Sequence, residues 1–100
     1  MIDAFNKHVA QDLIEHGPYD PQGRDGVAAK LAPIFANGKY DILRWNYDND
    51  YGTVMLKVYL PTGEELALID LYRMEGTCIV EHWDISQVKP ADATNPLAMF

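Results

Sequence analysis

Apolar residues in the first sixteen positions recur every three or four places, at Ile2, Phe5, Val9 and Leu13, with Asp3, Lys7, Gln11 and Glu15 elsewhere on the wheel. This spacing predicts an amphipathic helix over Ile2–His16 with one face that must be covered. Gly17-Pro18-Tyr19-Asp20-Pro21-Gln22-Gly23 follows as a loop with chain breakers at both ends. Val27, Leu31, Ile34 and Phe35 mark a second helix from about Asp25 to Ala36, in which Pro33 should introduce a kink or limit it to short pieces.

After Asn37-Gly38 the rhythm changes. Tyr40–Tyr47, Thr53–Leu60, Leu66–Met74 and Cys78–Val88 are rich in Val, Ile, Leu, Tyr and Trp, and turn-forming residues separate them. Links this short make neighbouring strands antiparallel. The expected architecture is a single α+β domain, residues 1–100, with two helices covering one face of a four-stranded antiparallel meander.

Composition and charge narrow the function classes. A chain of 100 residues should bury roughly two-thirds of its unfolded surface, enough for one core. Eight basic against fifteen acidic residues give a net charge of −7, and no two basic residues are adjacent. Nucleic acid and anionic membrane are therefore not expected partners, since a phosphate surface calls for clustered Lys and Arg. Apolar runs are too short for a membrane span. The single Cys78 can form no intrachain disulfide, and no basic-then-apolar leader precedes Asp3. The expectation is a cytoplasmic protein. His8, His16 and His82 lack metal-binding spacing, and no phosphate-binding glycine loop or serine nucleophile motif is present. Neither a metal nor a cofactor is expected.

The candidate chemistry lies in the last two strands. Ile79-Val80-Glu81-His82-Trp83-Asp84 alternates, and its ionisable residues must be assigned to faces. With a two-residue turn at Glu75-Gly76, Asp70 would oppose Glu81, a destabilising like-charge pair. With a three-residue loop, Glu75-Gly76-Thr77, Met74 pairs with Cys78, Asp70 opposes His82, and Leu68 opposes Asp84. The second register is preferred because it sets acid against imidazole. It gathers Asp70, His82 and Asp84 with Leu68, Tyr72 and Val80 on one apolar face. A carboxyl in a dry cleft has its pKa raised towards values useful for proton transfer, and an adjacent imidazole can orient it or share the proton. Each residue also has a purely structural reading: a backbone cap for Asp84, a satisfied core histidine for His82, an ion pair with Arg44 or Arg73 for Asp70.

Ile69-Asp70-Leu71-Tyr72-Arg73-Met74-Glu75-Gly76-Thr77-Cys78-Ile79-Val80-Glu81-His82-Trp83-Asp84 resembles the D-x-[FYW]-R, turn, I-V-E-H-W-D hairpin of SnoaL-like polyketide cyclases, in the nuclear transport factor 2-like superfamily. Ile14-Glu15-His16-Gly17-Pro18 is similar to that family's Y-I-Q-H-N-P, Gly23-Arg24-Asp25-Gly26 to its D-G-R-E-G, and Asn95-Pro96-Leu97-Ala98-Met99-Phe100 to its terminal N-P-x-x-M-F. The resemblance implies a cone-shaped fold with helices in the hollow of a bent sheet, an apolar pocket between them, and a homodimer. It places Asp84 at the cyclases' acid–base aspartate, and Asp70 at a position that holds a second catalytic side chain in some of them. The family's first helix has no counterpart ahead of Ile2, and Gly17 stands where Asn is usual.

The implied activity is cofactor-free: a base removes a proton next to a carbonyl, and the enolate closes a ring by aldol attack or is reprotonated elsewhere. The expected partner is a small, largely apolar carbonyl compound, with His16, Tyr72, Leu68 and Val80 lining its pocket and Asp84, His82 and Asp70 as catalytic candidates. A non-catalytic binding or dimerisation module is the alternative. Water activation for epoxide opening by Asp84 with Asp70 is third.

Overall fold

A computed structural model describes residues Met1–Phe100. Helix α1 spans Ile2–His8, strand β1 Val9–Glu15 and helix α2 Arg24–Asn37; strands β2 to β5 then occupy Lys39–Asp48, Tyr51–Tyr59, Glu65–Glu75 and Cys78–Val88. The sheet has five strands in the order β1-β5-β4-β3-β2, with β1 parallel to β5 and every other pair antiparallel. The expected four-stranded meander is thus the major part of a larger mixed sheet.

The extra strand comes from the segment read as one long helix. The chain leaves α1 at Val9, whose φ of −117° and ψ of 132° are extended. Val9, Leu13 and Glu15 are buried along β1. A four-residue interval such as Val9 to Leu13 equals one helical turn and also two strand periods, so the apolar spacing fits both. Burial of Glu15, two places further on, follows the strand period. The partner of Val9 is Ile79 and that of Ile14 is Glu81, so β1 bulges between those two pairings.

The second helix matches its expected bounds to within one residue, and it runs on through Pro33 to Asn37. The β2–β3 hairpin turns on Asn49 and Asp50, both left-handed at φ 48° and 64°, as tight turns matched to strand twist require. At the β4–β5 hairpin the structure corrects both expected registers. Glu75 pairs with Cys78 across a two-residue turn at Gly76-Thr77, where Gly76 has φ 60°. A bulge at Val80 then shifts the pairing, so that Tyr72 opposes His82, Asp70 opposes Asp84 and Leu68 opposes Ser86. Relative to the preferred register the pairing moves by two residues, which leaves the side chains from Glu81 onward on their expected faces.

The inner, helix-facing surface carries cross-strand rows set by that register. One runs Asp84, Asp70, Val54, Trp45; the next runs Ser86, Leu68, Leu56, Ile42. The helices cover only one end. Val9, Leu13 and Val27 form the core, with Phe5, Leu31 and Ile79 packed against them. Towards β2 the inner face is open, and Trp45 is 74% exposed. No helix is long and apolar enough to cross a membrane.

Candidate active site

Where β1 meets β5, three buried ionisable side chains join. Glu15, Asp70 and His82 are all at least nine-tenths buried. Parallel pairing sets Glu15 beside His82, and His82 Nδ1 lies 2.8 Å from Glu15 Oε2 and 2.9 Å from Oε1. On the other side of the ring, Nε2 lies 2.9 Å from Asp70 Oδ1. A neutral imidazole has one acceptor nitrogen, which would here face a carboxylate oxygen; with both nitrogens donating, the ring is an imidazolium. Burial pushes the His82 pKa down, but the bonds to Asp70 and Glu15 outweigh it and raise the value to about 9.

Tyr72 stacks on this imidazolium, with ring centroids 4.8 Å apart and an interplanar angle of 23°. Burial and the nearby Asp70 carboxylate hold its phenol well above the ordinary range, so Tyr72 stays neutral. Tyr72, His82 and Glu15 form the polar end of a cavity of about 140 Å³, otherwise lined by apolar residues including Phe5, Leu13 and Leu31.

Asp84 occupies a different hollow. Two residues beyond His82 on the same face, it lines a cleft of about 320 Å³ with Pro18, Tyr19, Asp20, Lys30, Ile85 and Ser86. Glu15 and Asp70 are engaged by His82, whereas Asp84 takes part in none of the side-chain hydrogen bonds. Burial raises its pKa above the usual aspartate value; the His82 cation opposes that, and the charges of Asp70, Asp20 and Glu15 add to it. Ligating atoms of Asp70, His82 and Asp84 lie within 4.8 Å of one another. A metal ion there would have to displace the His82–Asp70 hydrogen bond.

No family model matches the sequence, and neither does any curated protein. Solved structures do. A SnoaL-like polyketide cyclase from Agrobacterium tumefaciens superposes with a TM-score of 0.70 at 17% identity, over 86% of this chain and 78% of that one. An NTF-2 like protein from Burkholderia xenovorans gives 0.72 at 14%, over 92% and 73%. A protein of ketosteroid isomerase-like fold from Catenulispora acidiphila, in complex with trimethylamine, gives 0.65 at 20%, over 84% and 73%. The chain has the nuclear transport factor 2-like fold.

On this fold the expected residues divide. Asp70, His82 and Asp84 come together, with Tyr72 beside them. His16 does not join them: it lies on the outer face, stacked on Trp83 at 4.8 Å and bonded to Glu81, with Nε2 2.7 Å from Oε2. Val80 is taken up by the bulge, and Ile79 lines the cavity in its place. Leu68 shares the inner face but lies outside the cavity. Asp70 pairs with neither Arg44 nor Arg73; Arg73 is on the outer face, where it donates to Glu81 at 2.8 Å.

Glu15 is the residue that the helical spacing hid, because a helix over Ile2–His16 puts it on the polar side. One signal pointed to it. In the SnoaL-like motif that Ile14-Glu15-His16 resembles, Glu15 stands in place of a glutamine. Lys30 and Asp20 carried no such signal.

Proposed function

We propose that the protein is a cofactor-free proton-transfer enzyme of the SnoaL-like kind, with Asp84 as its acid–base group. The observation that carries this reading is the division of labour among the carboxyls. Two are held by His82, and the third, Asp84, faces a cleft where burial raises its pKa above the ordinary aspartate value. The substrate would be a small, largely apolar carbonyl compound. Asp84 removes a proton from the carbon next to the carbonyl. The enolate then attacks a second carbonyl of the same molecule, closing a ring, or takes a proton back at another carbon, which is isomerisation. Asp84 returns the proton, so the enzyme ends as it began. His82 stays charged throughout and offsets Glu15 and Asp70, which keeps the Asp84 pKa from climbing further.

Hydrogen–deuterium exchange at the α-carbons of cyclohexanone and phenylacetone, followed by NMR in D2O, tests this. Exchange above buffer that is lost in Asp84→Asn is expected; an Asp84→Asn protein as active as the wild type would sink the reading. The second reading, a non-catalytic small-molecule-binding or dimerisation module, is favoured by one observation: Glu15, Asp70 and His82 bond one another, the Gly17 N–H also donates to Glu15, and no buried side-chain nitrogen or oxygen is left unpaired. It predicts no exchange at all. Epoxide opening would need Asp70 to share a water with Asp84, and His82 holds Asp70. A homodimer would bring together outer sheet faces, where Ile85 is 78% exposed.

A further inference from the structure

We propose that Lys30 is a second catalytic residue of this site, an ammonium that binds the substrate's carbonyl oxygen as negative charge develops on it. This rests on proton abstraction by Asp84. Lys30, on α2, lines the same cleft as Asp84. Its Nζ donates to the carbonyl oxygen of Tyr19 at 2.6 Å and is paired with the Asp20 carboxylate. An ammonium has three N–H donors, so one is left to point elsewhere. The other strong donors nearby are spent or placed differently. Both His82 nitrogens are bonded to carboxylates, and Tyr72 faces the apolar cavity.

Removing a proton from carbon leaves a negative charge on oxygen, and a donor already fixed in place stabilises it without reorganising. Here the charge is conserved within the cleft. Asp84 is neutralised by the proton it accepts as the substrate becomes an anion, so one negative charge moves from Asp84 to an oxygen beside Lys30.

Gly17 makes the arrangement possible. A Cβ at this position would sit 2.1 Å from the Asp20 carboxylate oxygen. The absence of a side chain lets Asp20 turn inward to hold Lys30. The loop from Gly17 to Gly23 then positions a cation instead of contributing the asparagine side chain usual in the resembling motif.

The decisive probe is para-nitrophenol, an enolate-like anion whose ionisation is read from its visible absorbance and which needs no turnover. Wild-type protein should lower the apparent pKa of bound nitrophenol by about one unit or more. Lys30→Met, and Lys30→Gln as a second variant that can still donate to Tyr19, should bind it without lowering the pKa. The same variants should slow ketone exchange by about 100-fold, the size of a lost oxyanion donor, and in Lys30→Ala, whose truncation leaves room for it, added ethylammonium should restore part of that loss, which a mere loop latch would not allow. Failure of the wild type to bind nitrophenol or to lower its pKa, or an equal lowering in both variants, would overturn the proposal. A wild type that lowers the pKa yet exchanges no ketone would instead count against Asp84 alone.

Discussion

His82 on β5 bonds Glu15 on β1 across the sheet's single parallel strand pair, with Nδ1 2.8 Å from Oε2, while Asp70 holds the other ring nitrogen. Each carboxylate is buried and each has the same imidazolium as its counter-ion, Glu15 also accepting the Gly17 N–H at 2.8 Å. Removing the imidazolium strands both carboxylates, and breaking a buried ion pair in this way costs about 3 kcal/mol or more. His82→Leu should therefore lower the melting temperature by roughly 10 °C or more for a domain of this size. Thermal unfolding followed by circular dichroism checks this, and a change of only a degree or two would show that the pair is not coupled to folding.

The raised His82 pKa gives stability a definite pH dependence. The group binds its proton more tightly folded, at about 9, than unfolded, at 6.5. Its contribution is complete below about pH 6.5 and is lost as pH rises through about 9. Urea midpoints measured from pH 6 to 10 should fall across that window. Glu15→Gln, which removes one of the bonds raising the pKa, should flatten the slope.

The proposed base Asp84 would act in the opposite sense on activity. As a base it works only when ionised, so exchange should rise with pH through a pKa above the ordinary 3.8. Asp84→Asn should abolish the exchange. Because no hydrogen bond is lost, its stability should stay within about 0.5 kcal/mol of wild type. An Asp84→Asn protein that unfolds early would instead assign Asp84 a structural role.

Gly17→Ala tests the loop. Its Cβ meets the Asp20 carboxylate, so the Asp20 side chain must move, which should loosen its pairing with Lys30. A loss of roughly 1 kcal/mol is expected, together with faster cleavage of the Gly17–Gly23 loop under limited proteolysis. An unchanged cleavage rate would show that the pair does not hold the loop.

The outer face gives an assembly prediction. Ile85 and Ile69 are adjacent cross-strand partners, 78% and 45% exposed. Ile85→Glu should shift a dimer to monomer in sedimentation velocity. A wild type that is already monomeric at high concentration would remove the dimer reading.

The strands and their faces were legible in the sequence because alternation is a local signal. Asp70, His82 and Asp84 could be placed on one face from their odd–even positions alone. Their exact partners could not, because a two-residue turn and a bulge at Val80 together give the same parity as a plain three-residue loop. The β1 strand was hidden by the coincidence of four-residue spacing, and Glu15 was hidden with it. Its pairing with β5 depends on a contact between distant parts of the chain, which no local pattern encodes. The polar cleft likewise brings together Asp20, Lys30 and Asp84 from three separate segments.

That distant contact also bears on how the protein folds. Glu15 and His82 are 67 residues apart, so β1 can dock only by closing most of the chain into a loop, a slow and entropically costly event. The β2–β5 hairpins can form before it. Until β1 arrives, His82 lacks one of its two counter-ions and the hollow has no wall on that side. The candidate site should be among the last parts of the molecule to appear during refolding, which makes its formation a report that the whole chain has closed.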